Sequence, residues 1–538
     1  MQFPLRILAY VWLAVFCLLT VISVEHLITP VTPGWDIAAD MLLQNRIRNE
    51  GLLLTGHYSR WEFNHPGPFW FYYNHVIEWL LSPFELSRVQ VWHCGALLLS
   101  SLLVAYAATG LSVLLQPLNR LTFALACAAL LVAFIGPELI GIWMPERLIA
   151  PYAAFMVSVA LLSRGNINTL PITVLLVCIL VHGYVTMPIL TLPFLAWAGW
   201  MGWRHQRNWH CIKLYTGSLI VSSLIILLFV APLVIDFVLQ DISNIERILG
   251  AQASFKHHEK PDTEDVFTFI GQLLWRNRSW QWAGVAVLLV FLWRAPRQVW
   301  RMQSVRYWLK LLLVASLFIF FYYSRTPAPL FAFIAKFYLA VPPLVLAVLL
   351  LYKKQKTWLT TSVILFMLAP YFKLASIEQG TSLRTAAQAM AMNAANTPIL
   401  LDYDDHYQWP LVAGLLLELN RRGVSACTTW EHMAFLYTKS QVCQPDQRAT
   451  HRLIKPDACT DNCLYVAKAF AIQPIKLANI TPGMLIHTDS TAVSFNDWQS
   501  PEHNFRWTRD TESEILFRAA KAPFKGRLTL VLDTLDKQ

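Results

Sequence analysis

Two carboxylates and six cations stand out by type and position. Asp36 and Asp40 lie four residues apart, one helical turn, soon after the first long apolar segment. A carboxylate within reach of a hydroxyl can take its proton as that oxygen forms a new bond. Arg60, His65, Arg147, His182, Arg325 and Lys336 fall in the loop that follows that segment or near the ends of later apolar ones. Such groups stabilise phosphate and other anions by charge-assisted hydrogen bonds. Ionisable residues at membrane depth are costly, which makes them candidates for function. Each also has a plainer reading. Asp36 suits a helix cap, Asp40 a solvated helix face, His65 a hydrogen-bonded turn, Arg60 a pair with Glu62, and Arg147 a pair with Glu146. His182 suits a structural histidine, and Arg325 and Lys336 suit interfacial cations flanking 328–335.

The segments that must position these residues are long and apolar. Of 538 residues, 56% are hydrophobic and 14% charged, against about 25% charged in ordinary soluble domains. Mean hydropathy is +0.44. Disordered, collagen-like, single-soluble-domain and small disulfide-scaffold classes are excluded. A bilayer span takes about 20 apolar residues, and the pattern predicts about eleven spans. They fall near 7–24, 91–115, 121–140, 148–163, 169–187, 188–203, 214–238, 280–294, 308–323, 337–352 and 357–374. Net charge is +10, from 43 Lys+Arg against 33 Asp+Glu. With the N-terminus cytoplasmic, the inner loops collect Arg6, Arg120, Arg164, Arg204, Arg294, Arg301, Arg306, Lys310 and Lys353. The acids fall on the other side, as the positive-inside rule requires. An odd number of spans then puts the tail outside. The first segment has no small-x-small site before Glu25 and reads as a retained anchor.

The loop over 25–90 is long enough to be functional. Asp36 to Gly51 reads as an amphipathic helix on the outer membrane surface, with Ile37, Met41, Leu42 and Ile47 on one side. Pro66-Gly67-Pro68 forces a rigid turn that holds His65. An aromatic helix is predicted over Phe69–Leu81.

From about residue 376 the composition becomes that of a soluble domain. Ile399–Tyr403, Val424–Thr428 and Leu528–Leu532 read as strands, and Trp409–Arg422 as a helix stopped at Gly423. The domains are therefore 1–375, a membrane module, and 376–538, a soluble α/β domain. Cys427, Cys443, Cys459 and Cys463 fit two disulfides in an oxidising compartment. Three pairings are open; chain order favours Cys427 with Cys443 and Cys459 with Cys463. No metal-ligand cluster is evident, and dependence on a divalent metal stays open. Phosphate loops, H-E-x-x-H helices and G-x-S-x-G elbows are absent, and no basic run suits nucleic acid.

Gly34-Trp-Asp36, the stretch Ser59–Pro68 and Trp409-Pro-x-x-x-Gly414 carry a resemblance. Phe495-Asn-Asp-Trp498, Pro501-Glu502 and Arg506-Trp507 add to it. Together with the layout, the chain resembles the C-type (GT-C) glycosyltransferase superfamily, and within it the bacterial arabinofuranosyltransferases that modify pilin or build arabinan. The resemblance implies a polytopic α-helical GT-C fold with a C-terminal periplasmic domain, in the inner membrane. It implies an enzyme that moves a sugar, D-arabinofuranose, from a polyprenyl-phosphate donor to a pilin or glycan hydroxyl with inversion. Asp36 is then the base, and Asp40, Arg60, His65, Arg147, His182, Arg325 and Lys336 contact donor or acceptor. Many members of the superfamily pair two adjacent acids in the first loop, whereas here Asp36 has no adjacent acid. Alternative classes are a transporter or flippase for lipid-linked saccharides and a transferase acting on lipopolysaccharide or O-antigen. A transporter should show broken helices at mid-membrane, whereas the polar candidates here cluster on one side.

Overall fold

A computed structural model describes residues 3–49, 51–59, 61–205, 209–254, 301–326, 330–351, 377–394, 397–403, 408–430, 438–444, 449–459 and 463–475, with short pieces in 261–269, at 436 and in 479–519. The chain divides into two units. The first is Met1–Val31 with Leu43–Ser376; the second is Thr32–Leu42 with Ile377–Gln538. The start of the first loop thus groups with the C-terminal part of the chain.

In the first unit the apolar runs are helices: α1 (Leu5–Ile28), α2 (Trp35–Asn49, begun in the second unit), α3 (Phe69–Leu81), α4 (Arg88–Leu115), α5 (Arg120–Ile135), the single turn α6 (Met144–Arg147), α7 (Ile149–Ser163), α8 (Leu170–Gly183), α9 (Met187–His205), α10 (Trp209–Leu239), α11 (Asn244–Ser254) and α12 (Gln303–Tyr323). A 3₁₀ stretch, Ala332–Ala340, leads into α13 (Val341–Leu346). Among the described residues, six stretches are long and apolar enough to cross a membrane: Leu5–Ile28, Arg88–Leu115, Arg120–Ile140, Met144–Ser163, Tyr215–Leu239 and Gln303–Tyr323. Ile167–Gly183 and Phe333–Leu346 are apolar but shorter. The expected spans 280–294 and 357–374 and the strand Leu528–Leu532 lie outside the described residues.

Burial follows composition. Every residue of α7 is buried, as befits a helix that is apolar all round. On α10, by contrast, Leu224, Leu227, Leu228 and Val238 point outward and are exposed, an apolar exterior that suits lipid better than water. The start of α4 is fixed by a capping box in which Ser87 and Gln90 satisfy each other's backbone N–H groups. That cap sets Arg88 at the first helical position. Expected to lay one face on the membrane, α2 is instead buried on all sides from Ala38 to Gln44. Those seven consecutive residues cover nearly two full turns.

The second unit holds α14 (Ile377–Asn393), α15 (Trp409–Arg421) and a five-stranded mixed sheet. Its strands are β1 (Ile399–Tyr403), β2 (Ala426–Thr428), β3 (His451–Ile454), β4 (Tyr465–Val466) and β5 (Ala471–Pro474), in the order β2-β1-β3-β5-β4. β1 runs parallel to β2 and β3, with Leu400 opposite Cys427 and Asp402 opposite Arg452. β3–β5 and β4–β5 are antiparallel. β1, α15 and β2 make a parallel crossover, for which a helix is the usual connection. Asp402 fastens its end: it accepts from Thr429 Oγ1 (3.1 Å) and Trp430 Nε1 (3.0 Å), and pairs with Arg452 (3.1 Å). The disulfides are Cys427–Cys443 and Cys459–Cys463.

Within this unit the segment before Asp36 packs on α15. Pro410, Gly414 and Glu418 follow at four-residue spacing and share one face of that helix. A Cβ on Gly414 would come within 2.7 Å of the Pro33 carbonyl oxygen, and one on Gly34 within 3.1 Å of the Pro410 carbonyl oxygen. Glu418 ends the stripe: its Oε2 accepts from Thr32 Oγ1 at 3.0 Å, and Arg421 and Arg422 donate to the same carboxylate. Burial, the largest influence, works against its charge, but Arg421, Thr32 and Arg422 together outweigh it and hold the carboxyl below its usual value of 4.5. A carboxylate with a depressed folded-state pKa contributes stability above the unfolded pKa and loses it as pH falls through the folded one. The full chain in detergent should therefore melt at lower temperature as pH drops below about 4.5. Glu418→Gln should lower the melting temperature at neutral pH by the equivalent of about 1–3 kcal/mol and flatten that acid slope. Equal slopes in both proteins would show that Glu418 is not the group responsible.

Candidate functional site

The first unit builds a polar cluster from a short hairpin upward. Gly56 N–H donates to the His65 carbonyl, and His65 N–H to the His57 carbonyl, each at 2.8 Å. The Asn244 side chain reads both backbone groups of Asn64: its Oδ1 accepts from the N–H and its Nδ2 donates to the carbonyl, each at 2.7 Å. Asn244 N–H in turn donates to Asp236 Oδ2 at 2.8 Å. These bonds fix the place of His65, whose ring stacks on both His57 (centroids 3.9 Å apart) and Tyr184 (4.5 Å). Val185 N–H donates to His65 Nδ1 at 3.0 Å, so the neutral ring carries its proton on Nε2. Burial pushes the pKa of His65 down to about 3 and that of His57 well below 6.5. Near neutral pH His65 is thus an uncharged hydrogen-bond donor.

Pro66-Gly67-Pro68 then turns the chain into α3. Gly67 lies against the ring of His182: a Cβ there would sit 2.2 Å from Nδ1. His182 Nε2 donates to the Phe229 carbonyl at 2.9 Å, and its ring meets Phe229 edge-on at 4.7 Å. His182 therefore ties α8 to α10 and packs against the turn that follows His65.

The inward face of α3 carries Trp70, Asn74 and Glu78 at four-residue spacing, all buried. Arg147, 5% exposed, lies with its guanidinium 5.5 Å from the Trp70 ring and 5.0 Å from that of Trp92. Its Nη1 donates to Asn74 Oδ1 at 2.9 Å. Cation–π contacts strengthen when the cation is desolvated. Arg147 is therefore held as a buried charge by rings and an amide. Glu146 pairs with Lys336 at 2.5 Å, and Lys336 Nζ lies 5.3 Å from the Trp143 ring. One turn on from Asn74, Glu78 accepts from Arg88 Nε (2.7 Å), Arg48 Nη2 (2.7 Å) and Trp92 Nε1 (2.8 Å). Trp92 thus links the carboxylate of Glu78 to the guanidinium of Arg147.

The structure brings His65, Arg147, His182 and Lys336 into this one region. Trp70 and its neighbours join them: Gly183, next to His182, packs on Trp70 and Leu148. Arg325 is exposed at the end of α12, 5.4 Å from the Phe321 ring, and is not joined to the cluster by any contact among the described residues. Arg60 lies outside the described residues. Asp36 and Asp40 belong to the second unit's part of α2; Asp36 is half-buried and Asp40 buried. Of Phe495–Trp498, Pro501-Glu502 and Arg506-Trp507, only Phe495 is described. No group of three or more metal-type ligands occurs among the described residues.

The sequence reading missed Asn74, Glu78, Trp92 and Asn244. The polar residues at four-residue spacing inside the aromatic run Phe69–Leu81 were a usable signal, since an amide and an acid on one face of such a helix must face inward. Nothing local marked Asn244, whose side-chain partner, Asn64, lies 180 residues away in the chain.

The architecture is thus a bundle of apolar helices and an α/β unit formed by Ile377–Gln538 with Thr32–Leu42. No family model and no curated protein matches the chain. Among solved structures it matches ArnT from Cupriavidus metallidurans, crystallised bound to undecaprenyl phosphate, with a TM-score of 0.55 and 13% identity over 86% of this chain and 97% of that one. At that identity the likeness is one of fold.

The Gly67–His182 contact gives a direct test. Gly67→Ala should cost about 1–3 kcal/mol through overpacking, read as a lower melting temperature in detergent. His182→Ala makes room, so the double variant should be destabilised by less than the sum of the two single changes. Strict additivity would show that the two residues do not press on one another.

Proposed function

We propose that the chain is a membrane glycosyltransferase that takes a sugar from a polyprenyl-phosphate carrier and passes it to a hydroxyl acceptor. The observation that carries this reading is the fold shared, across nearly the whole of its length, with a protein crystallised with undecaprenyl phosphate. The buried Arg147, set among Trp70, Trp92 and Asn74, supports it. Transfer from such a carrier releases a phosphate whose charge grows in the transition state, and preorganised cations and donors lower that barrier. Arg147 and Lys336 supply charge; His65 supplies a neutral N–H.

In this reading Asp36 is the base. The acceptor O–H gives its proton to the carboxylate, and the oxygen bonds to the anomeric carbon. The bond from that carbon to the phosphate oxygen breaks, and polyprenyl phosphate leaves with the electron pair. One displacement inverts the anomeric centre. Asp40, one turn on, is a partner that tunes or orients Asp36. The first-loop and Trp409–Gly414 motifs favour D-arabinofuranose as the sugar and a pilin hydroxyl as the acceptor, with a glycan hydroxyl as the other acceptor class. The basic residues Arg120, Arg164, Arg204, Arg306 and Lys310 favour a cytoplasmic N-terminus, with the site and the second unit periplasmic.

Asp36→Asn keeps the shape and removes the base. Transfer from a polyprenyl-phosphate sugar should fall about 10²–10⁴-fold while the melting temperature is kept; normal transfer would remove Asp36 from the mechanism. The anomeric configuration of the product tests the single displacement, and a retained linkage would overturn it. Intact mass of pilin from cells with and without the protein should differ by one pentose per site; an unchanged mass would overturn the pilin assignment.

A further inference from the structure

A second basic feature lies at the other end of the bundle. α7 begins beside Arg147 and ends before Arg164; its 15 residues rise roughly 22 Å. Arg164 therefore stands far from the cluster around Arg147. Its guanidinium lies 5.7 Å from the ring of Tyr307, whose hydroxyl hydrogen-bonds to Ser163. Tyr307 forms the end of a groove of about 480 Å³ between α9 and α12, within the range of about 300–1,000 Å³ usual for ligand sites. One wall is Pro193, Phe194 and Trp197; the other is Tyr307, Leu311, Val314 and Phe318, with Lys310 beside Tyr307.

Three features of this groove specify its occupant. From Tyr307 to Phe318 the wall rises roughly 16 Å, about half of a hydrocarbon core of about 30 Å, so it matches one leaflet. Its lining is apolar apart from one end, where Lys310 and Arg164 supply positive charge. That end lies at interfacial depth: Trp200 and Trp203 of α9 are exposed there, and Arg204 lies 5.6 Å from the Trp200 ring. Indoles and cations in such an arrangement mark the headgroup level. We infer that this groove is a binding site for an anionic phospholipid, with one acyl chain between α9 and α12 and the phosphate at Lys310 and Arg164. Because Tyr307 also bonds to Ser163 of α7, the bound lipid would brace α7, α9 and α12 against one another.

The test uses the full chain, purified in mild detergent and titrated with phosphatidylglycerol or phosphatidylcholine of the same chain length. Native mass spectrometry counts the lipids retained. The protein should retain one phosphatidylglycerol in clear preference to phosphatidylcholine. Arg164→Ala with Lys310→Ala, both exposed positions, should weaken that retention roughly ten- to thirty-fold, the scale expected for two cations at a membrane surface. Val314→Trp fills the groove and should abolish retention of the acyl chain. If Val314→Trp does not fold, the charge variant alone decides. Equal retention of both lipids, or unchanged retention in the charge variant, would overturn the site, as would purification of the protein with a polyprenyl phosphate in that position.

Discussion

A guanidinium buried among apolar helices is the constraint around which the first unit is organised. Desolvating Arg147 costs several kcal/mol unless its surroundings replace water. Trp70 and Trp92 present ring faces, and Asn74 presents an amide oxygen at 2.9 Å. That demand explains the inward stripe of α3, which must carry a ring and an acceptor one turn apart. It also explains Glu78, because Trp92 has to be oriented as well, and its indole N–H is held at 2.8 Å by the Glu78 carboxylate. Glu78 is buried and needs charge of its own, which Arg48 and Arg88 bring. The cap of α4 at Ser87 then matters for more than helix stability, since it fixes where Arg88 begins.

The second unit meets a different demand, that of placing a short acidic segment. Thr32, Pro33 and Gly34 lie on α15 through backbone contacts that tolerate no Cβ at Gly414. Two of the motifs that carry the resemblance, Gly34-Trp-Asp36 and Trp409-Pro-x-x-x-Gly414, are thus halves of one contact. Gly414 is there because the Pro33 carbonyl passes directly over it, and Glu418 closes the contact by binding Thr32. The conformation leading into Asp36 is accordingly set by a helix near the other end of the chain. Trp35 takes a left-handed backbone conformation (φ +57°) in the course of that entry, a strain that a non-glycine residue keeps only where its surroundings impose it.

What was legible in the sequence was local. Phe69–Leu81 and Ile399–Tyr403 are found at the bounds their patterns predict, because an aromatic run closed in by prolines and a short apolar run ended by acids leave few choices. α15 stops just before Gly423 for the same reason. The misreading of α2 has a physical cause. Ile37, Met41, Leu42 and Ile47 towards one side, with Arg46 and Arg48 elsewhere, read as a surface amphipath. Burial on all sides from Ala38 to Gln44 is set by packing, which that spacing does not encode. The same holds for Glu146: adjacency suggested Arg147 as its partner, but the carboxylate turns to Lys336. Neighbours in sequence on one helical turn point in different directions, and only packing decides which charge each one meets.

The cations at the two ends of α7 meet different surroundings. A helix carries partial positive charge at its N-terminus and partial negative charge at its C-terminus. Arg164, just past the C-terminal end, lies where the dipole favours a cation, and it is exposed to solvent screening besides. Arg147 stands at the N-terminal end, where the dipole opposes it, and it is buried. What holds a cation in that place is the packing on it, the ring faces of Trp70 and Trp92 and the amide oxygen of Asn74.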